Sequence, residues 1–179
     1  MKTAFTAILL VVLGLTLSSC QILDRFDPID VGQVAPKFTL LTLSGDIVTL
    51  DQILENNELV LVDFWASWCG WCIESFPTLK QIYSLHKDQG FEIVSISLDS
   101  NREDWEEGSE TNDLPWTDIG DMENRQRTGF YHAPTAIAYG VNRIPKMFLL
   151  NSEGIVILKD PSTEKLRKWL TSNLDNSIN

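Results

Sequence analysis

Two cysteines separated by two residues constrain this chain more than any other feature. Cys69 and Cys72 come soon after Leu59–Trp65, a continuous apolar run interrupted by one acid. Such a run predicts a central strand that is buried on both faces. From Cys69 to about Lys87 the apolar residues recur at three- and four-residue steps, which predicts an amphipathic helix. The cysteine pair is therefore expected where a buried strand turns into a helix.

The N-terminus of a helix is a favourable place for a thiolate. Unpaired backbone N–H groups and the positive end of the helix dipole stabilise a negative sulfur, so we expect the pKa of Cys69 to lie below its free value of about 8.5. Cys69 is then the exposed attacking thiol. Cys72, one turn deeper, is the thiol that resolves a mixed disulfide. We interpret the pair as redox-active, with no metal and no organic cofactor.

Two other interpretations of the cysteine pair are weaker. A zinc knuckle would need a further ligand pair, and His86 and His132 are far apart in the sequence. A purely structural disulfide with a two-residue loop would remove little chain entropy. His86, near the end of the predicted helix, is expected to face solvent.

The segments around this helix predict an α/β fold, a central mixed sheet flanked by helices with an added N-terminal β-hairpin. Before the cysteines we expect a hairpin of two strands, over Lys37–Leu43 and Ile47–Leu50. Asp51 is then expected to cap a short helical turn over Gln52–Asn56. After the cysteines we expect a buried strand over Phe91–Leu98 and an exposed acidic helix over Arg102–Glu110. An extended segment over Leu114–Asp118 and a helical turn over Thr135–Tyr139 are expected to follow. The chain ends in a hairpin and a helix, over Lys146–Leu150, Ile155–Lys159 and Ser162 or Thr163 to about Leu174.

The first twenty residues predict export. Lys2 precedes the uncharged, mostly apolar run Ala4–Leu17, which is too short for a stable spanning helix. The run leads into Leu17-Ser-Ser-Cys20, which resembles the bacterial lipobox and implies cleavage before Cys20 and lipidation of its thiol. An ordinary secretory signal and an uncleaved anchor are the alternatives. We expect a signal peptide over 1–19, a tether over 20–31 and one domain over 32–175, lipid-anchored to a bacterial membrane and facing the periplasm or extracytoplasmic space.

The charge of the chain excludes one class of partner. The 179 residues carry a formal net charge of −11. Nucleic-acid binding and polybasic docking on anionic lipid both need a basic surface, so we expect neither.

Four segments resemble one protein family. Val62–Cys72 resembles the active-site segment of thioredoxins. Gly32–Leu40 is similar to the start of the TlpA/ResA-like thiol-disulfide oxidoreductases and of the related peroxiredoxins. Leu114–Trp116 and Tyr139–Leu149 also resemble the TlpA/ResA-like family. The resemblance covers about residues 32–172 and implies a thioredoxin-like fold.

The resemblance implies roles for three further residues. Pro145 matches a cis-proline that faces the disulfide in thioredoxin folds, and Ile144 before it matches the residue whose backbone binds the substrate chain. Asp63 matches a buried acid beneath the second cysteine. Because an isolated carboxylate in an apolar strand is costly, we expect a raised pKa and a general-base role toward Cys72.

The residues around the cysteines suggest how a substrate would be contacted. We expect Trp68, Gly70 and Trp71 to meet the partner protein, whereas Trp65 is expected to pack in the core. Trp71 stands where thioredoxins carry Pro, so a thioredoxin-like potential does not follow. Ser75 stands where ResA proteins often carry Glu, and the role of that Glu is not transferred to Glu74. Lys146 replaces the usual Thr after the proline and is expected to place a positive charge near the site.

The resemblance implies a membrane-tethered oxidoreductase that exchanges disulfides with protein substrates, with cytochrome c maturation as one setting. It would need protein thiol or disulfide substrates and a membrane or exported electron donor. Two other functions remain open. A thiol peroxidase shares the entry motif, although the Pro and Thr that precede a peroxidatic cysteine are absent from Phe64–Cys69. A non-catalytic binding module would keep the fold and use the tryptophans.

Overall fold

The computed structural model describes residues 29–121 and 133–174. The predicted signal peptide, Cys20, most of the predicted tether and His132 lie outside these residues. The strands are β1 (Thr39–Thr42), β2 (Ile47–Thr49), β3 (Leu59–Trp65), β4 (Phe91–Ser97), β5 (Thr117–Gly120), β6 (Lys146–Asn151) and β7 (Val156–Lys159). The helices are α1 (Leu50–Asn56), α2 (Gly70–His86), α3 (Arg102–Asn112), α4 (Pro134–Ala138) and α5 (Thr163–Leu174), with a 3-10 turn over Lys87–Gln89.

The seven strands form one mixed sheet in the order β2-β1-β5-β4-β3-β6-β7. β3 lies near the middle, parallel to β4 and antiparallel to β6, and all seven of its residues are buried. β4 and β5 are also parallel, whereas both hairpins are antiparallel. The predicted α/β architecture, with a central mixed sheet and both hairpins, is confirmed.

The sheet separates two apolar cores because side chains alternate along each strand. Even-numbered residues of β3, such as Phe64, point into the core that α1 and α4 cover. Odd-numbered residues, such as Trp65, point into the core that α2, α3 and α5 cover. We call this second side of the sheet the cysteine face, since Cys69 and Cys72 belong to its core. Among the residues that the structure describes, Ile29 is the first in the chain that packs in the first core, and it is 8% exposed.

α1 begins two residues earlier than the sequence suggests, at Leu50 rather than Gln52. The Thr49 hydroxyl accepts a hydrogen bond from the backbone N–H of Gln52 at 3.2 Å, and the Gln52 side chain accepts from the backbone N–H of Thr49 at 3.1 Å. This capping box satisfies two donors at once. The prediction that Asp51 caps the helix was therefore wrong.

His86 is buried, with 4% of its surface exposed. Its Nδ1 lies 2.8 Å from the Gln89 side-chain oxygen. After α2 the chain turns through Lys87–Gln89, and this turn brings the Gln89 side chain next to the imidazole. The expectation that His86 faces solvent was wrong. Among the described residues, no helix combines the length and apolarity needed to cross a bilayer.

Candidate active site

The cysteine pair occupies the N-terminus of α2. Cys69 is the N-cap residue and forms a disulfide with Cys72, their Cα atoms 5.3 Å apart. The backbone N–H of Cys72 donates to the Cys69 sulfur at 3.2 Å. Cys72 is fully enclosed, whereas Cys69 keeps 7% of its surface exposed. The same N–H would stabilise a thiolate on Cys69 once the disulfide opens.

A buried carboxylate holds the loop that leads to Cys69. Asp99 accepts the backbone N–H of Ser67 at 3.1 and 3.0 Å, one bond to each oxygen, and the Ser67 hydroxyl at 2.8 Å. The Ser97 hydroxyl donates to the same carboxylate at 2.9 Å. Asp99 is 1% exposed. Sequence analysis missed this residue, although a charged side chain directly after a buried strand was the available signal.

Two tryptophans beside the disulfide are exposed. Trp68 keeps 58% and Trp71 keeps 77% of its surface in solvent. Gly70 stands between Cys69 and Trp71, and a Cβ at this glycine would meet no atom within 4 Å. Trp65 is fully buried, as predicted, with its ring 5.3 Å from that of Phe76. The surface around Cys69 is therefore apolar and open.

The loop before β6 contains the predicted proline. The peptide bond between Ile144 and Pro145 is cis, as the resemblance implies. Ile144 is partly buried against both cores. Because Lys146 pairs with Phe64 in the sheet, its side chain points away from the cysteine face.

Lys146 is 8% exposed, and its Nζ lies 2.9 Å from an Asp160 carboxylate oxygen that Arg143 also contacts at 2.9 Å. Burial alone would raise the pKa of Asp160, but hydrogen bonds from Lys146 and Arg143 outweigh it and lower that pKa. The expectation that Lys146 places a positive charge near the site was wrong, since its strand position puts it on the other side of the sheet, against Asp160.

Asp63 lies on the cysteine face, in the strand that leads to the cysteine loop. It is 1% exposed, and within the described part of the chain neither carboxylate oxygen has a hydrogen-bond partner. Burial, with a smaller contribution from the negative charge of Asp118, raises its pKa from 3.8 to about 7. A carboxyl with this pKa can both hold and release a proton near neutral pH.

Asp118 is a second carboxylate on this face that sequence analysis did not single out. The Trp65 indole N–H donates to it at 3.0 Å and the Trp105 indole N–H at 2.7 Å. Its place between Trp116 and Ile119, an acid in an apolar stretch, was a signal of the same kind as for Asp63. Residues 29–121 and 133–174 contain no group of three His, Cys, Asp or Glu side chains suited to a metal ion.

A disulfide at a helix N-terminus, two exposed tryptophans beside it and a cis-proline directly before a strand of the mixed sheet define a thioredoxin-like protein. A family model described as thioredoxin-like matches residues 56–156. The chain belongs to this family.

Several named oxidoreductases are similar to this chain. It is 26% identical over 156 residues to the thiol-disulfide oxidoreductase ResA of Geobacillus kaustophilus, covering 87% of this chain and 83% of the relative. A thiol:disulfide interchange protein from Bacteroides sp. superimposes with a TM-score of 0.71 at 27% identity, covering 82% of this chain and 91% of the other. A putative thiol:disulfide interchange protein DsbE from Chlorobium tepidum superimposes with a TM-score of 0.68 at 30% identity, covering 82% of this chain and 99% of the other. These similarities support an oxidoreductase role.

Proposed function

We propose that this protein is a membrane-tethered, extracytoplasmic thiol-disulfide oxidoreductase that reduces disulfides in protein substrates. The observation that carries the proposal is the Cys69–Cys72 disulfide at the N-terminus of α2, in which Cys69 keeps 7% of its surface exposed and Cys72 is fully enclosed. Maturation of c-type cytochromes, in which apoprotein cysteines must be reduced, is the setting we favour. The names of the ResA and DsbE relatives support the oxidoreductase activity.

The exchange begins with both cysteines reduced. The Cys69 thiolate attacks one sulfur of a substrate disulfide, forms a mixed disulfide and releases the other substrate sulfur as a thiolate. Cys72 then loses its proton and attacks the Cys69 sulfur, which closes the protein disulfide and releases the second substrate thiol. Two electrons pass to the substrate, and an electron donor must reduce the pair again.

We propose that the Asp63 carboxylate accepts the proton that Cys72 loses. The enclosed Cys72 needs a base inside the protein, because water does not reach its sulfur. The Asp63 carboxyl lies on the same face of the sheet and has a pKa raised to about 7. Trp68, Gly70 and Trp71 would contact the substrate around Cys69, while the backbone of Ile144 and the ring of Pro145 would border the substrate chain.

Substrate trapping tests the assignment of the two cysteines. With Cys72→Ser, the mixed disulfide at Cys69 cannot be resolved and should accumulate as a reducible adduct with partner proteins. The matched variant Cys69→Ser should trap none, because the enclosed Cys72 sulfur does not meet a partner. Equal trapping by both variants would contradict the assignment. Full cellular function of the variant lacking both cysteines would favour a binding module.

The reduction potential tests the direction of electron flow. The full chain in detergent is equilibrated with redox buffers and followed by tryptophan fluorescence, which Trp68 and Trp71 should make sensitive to the disulfide. A potential near or below about −270 mV is expected of a reductant. A value of about −120 to −180 mV, as in oxidants and isomerases, would refute the reductant role.

Lipidation of Cys20 supplies the proposed membrane tether. Metabolic labelling with a radioactive fatty acid should label the wild-type chain and leave Cys20→Ser unlabelled. Cell fractionation should move the variant out of the membrane fraction, unless an uncleaved N-terminal segment holds it there. Label on both chains would overturn the assignment of Cys20.

A further inference from the structure

One row of side chains crosses the cysteine face beside Asp63. In the sheet register, Met147 of β6 pairs with Asp63, Asp63 pairs with Ser95 of β4, and Ser95 pairs with Asp118 of β5. Residues paired in this way point to the same side of a sheet. The Ser95 hydroxyl donates to an Asp118 oxygen at 2.5 Å. Ser95 therefore lies between two carboxylates.

Asp118 sits among hydrogen-bond donors that favour its charged form. The indole N–H groups of Trp65 and Trp105 and the hydroxyl of Ser95 all donate to its oxygens. The Trp116 indole N–H donates to the Ser95 oxygen at 3.1 Å, which leaves the Ser95 proton directed at Asp118. Donors that contact a carboxylate stabilise its negative charge.

The two carboxyls differ in how burial is compensated. Burial raises the pKa of Asp118, and hydrogen bonds from Ser95, Trp105, Ser109 and Trp65 offset only part of that rise. Neither Asp63 oxygen has such a donor among the described residues. When two coupled acids differ in this way, the one with donors ionises first and its charge then acts on the other.

We propose that Asp118 is a positioning residue for disulfide exchange: its negative charge, two strands away in the same row, makes the Asp63 carboxylate a stronger base, and that carboxylate then accepts the proton that Cys72 loses. This inference rests on the proposed function, because it assigns Asp118 to the proton step at Cys72. No hydrogen bond links Asp118 to Asp63, so the effect acts through space.

The spacing of the strands sets the size of the effect. Neighbouring strands lie about 4.8 Å apart, so Asp63 and Asp118 are separated by roughly 10 Å. At that distance and an effective dielectric constant of about 20, one charge shifts the titration of the other by about one pH unit.

The sheet register places Met147 of β6 and Ser95 of β4 beside Asp63 on the cysteine face, and Asp118 lies beyond Ser95. α2 contributes Cys72 to the core on this face. α3 and α5 contribute Trp105, Leu166 and Leu170 to this core. Apart from the cysteine pair, Asp118 is the titratable member of this set.

The test measures the Asp63 titration directly. The full chain in detergent, oxidised and labelled with carboxyl-13C aspartate, is titrated by NMR, and Asp63→Asn assigns the Asp63 resonance. Asp118→Asn should lower the Asp63 midpoint by about one pH unit. The pH profile for release of a mixed disulfide by Cys72 should shift in the same direction.

Glu92→Gln is the matched control. It removes one carboxylate from β4, whose Glu92 accepts the Tyr83 hydroxyl at 3.2 Å, and should leave the Asp63 midpoint unchanged. If Asp118→Asn fails to fold because its amide meets the Trp105 N–H, Asp118→Asn with Trp105→Phe removes that opposing donor. An Asp63 midpoint unchanged without Asp118, or lowered equally by Glu92→Gln, would overturn the inference. Absence of exchange by the wild-type protein would instead refute the proposed function and leave the NMR comparison valid.

Discussion

Replacing Asp63 with Asn should change the pH dependence of stability in a way that can be calculated from the structure. The Asp63 carboxyl is buried without a hydrogen-bond partner among the described residues, and its pKa rises from 3.8 to about 7 on folding. The folded state therefore holds the Asp63 proton more tightly than the unfolded chain does. A neutral Asn of similar shape keeps the buried polar group and removes the ionisation.

The sign and the size follow from proton linkage. Because the folded pKa is raised, the stabilisation from the bound proton is complete below about pH 3.8 and is lost as the pH rises through about 7. The difference of 7 − 3.8 = 3.2 pH units corresponds to about 4 kcal/mol. Relative to wild type, Asp63→Asn should gain about 4 kcal/mol in the free energy of unfolding between pH 3.5 and pH 9.

Urea denaturation of the oxidised proteins over this pH range measures the difference. All other groups are common to both chains, so the titrations of those not coupled to Asp63 cancel in the subtraction. Below pH 3.8 both side chains are neutral, and the difference there reports only the exchange of carboxyl for amide. A difference that stays constant from pH 3.5 to 9 would refute the claim that Asp63 is buried with a raised pKa. A stability advantage of Asp63→Asn that decreases as the pH rises would also refute that claim.

Three further changes test the surroundings of the site. Asp99→Ala should cost about 2–3 kcal/mol in unfolding free energy and slow substrate trapping, because the Ser67 amide loses its acceptor; unchanged stability would contradict the role of Asp99 in the loop. Gly108→Ala should lower the free energy of unfolding by about 1–3 kcal/mol, since the new Cβ would lie 2.7 Å from the Ser67 Cβ. Gly70→Ala, whose Cβ would meet no atom within 4 Å, should leave that free energy nearly unchanged. Asp160→Asn should lower the free energy of unfolding by about 3 kcal/mol near pH 7, because it leaves the buried Lys146 without its carboxylate. Arg143→Gln removes an exposed cation and should lower that free energy by less than about 1 kcal/mol. Equal losses in the two variants would contradict this account.

Local sequence patterns were enough to predict the elements and the position of the cysteines. The apolar run of β3, the helical spacing after Cys69 and the turn residues of both hairpins each depend on nearby residues only. The same is true of Trp65, whose place in an apolar run predicted its burial.

Features that depend on how strands pair could not be predicted in this way. The prediction for Lys146 failed because its side-chain direction depends on pairing with Phe64, 82 positions earlier in the chain. The row from Asp63 to Asp118 depends on the order β5-β4-β3 and on the register of both pairs. His86 was misjudged because its burial depends on a turn that follows the helix.

The residues between the two cysteines make almost no contribution to packing. Trp71 is 77% exposed, and the position of Gly70 is open on its side-chain side. Substitutions there change what a partner meets without disturbing either core. The dipeptide can therefore be exchanged, by natural drift or by an engineer building libraries, to retarget the enzyme while its folding energy stays nearly constant.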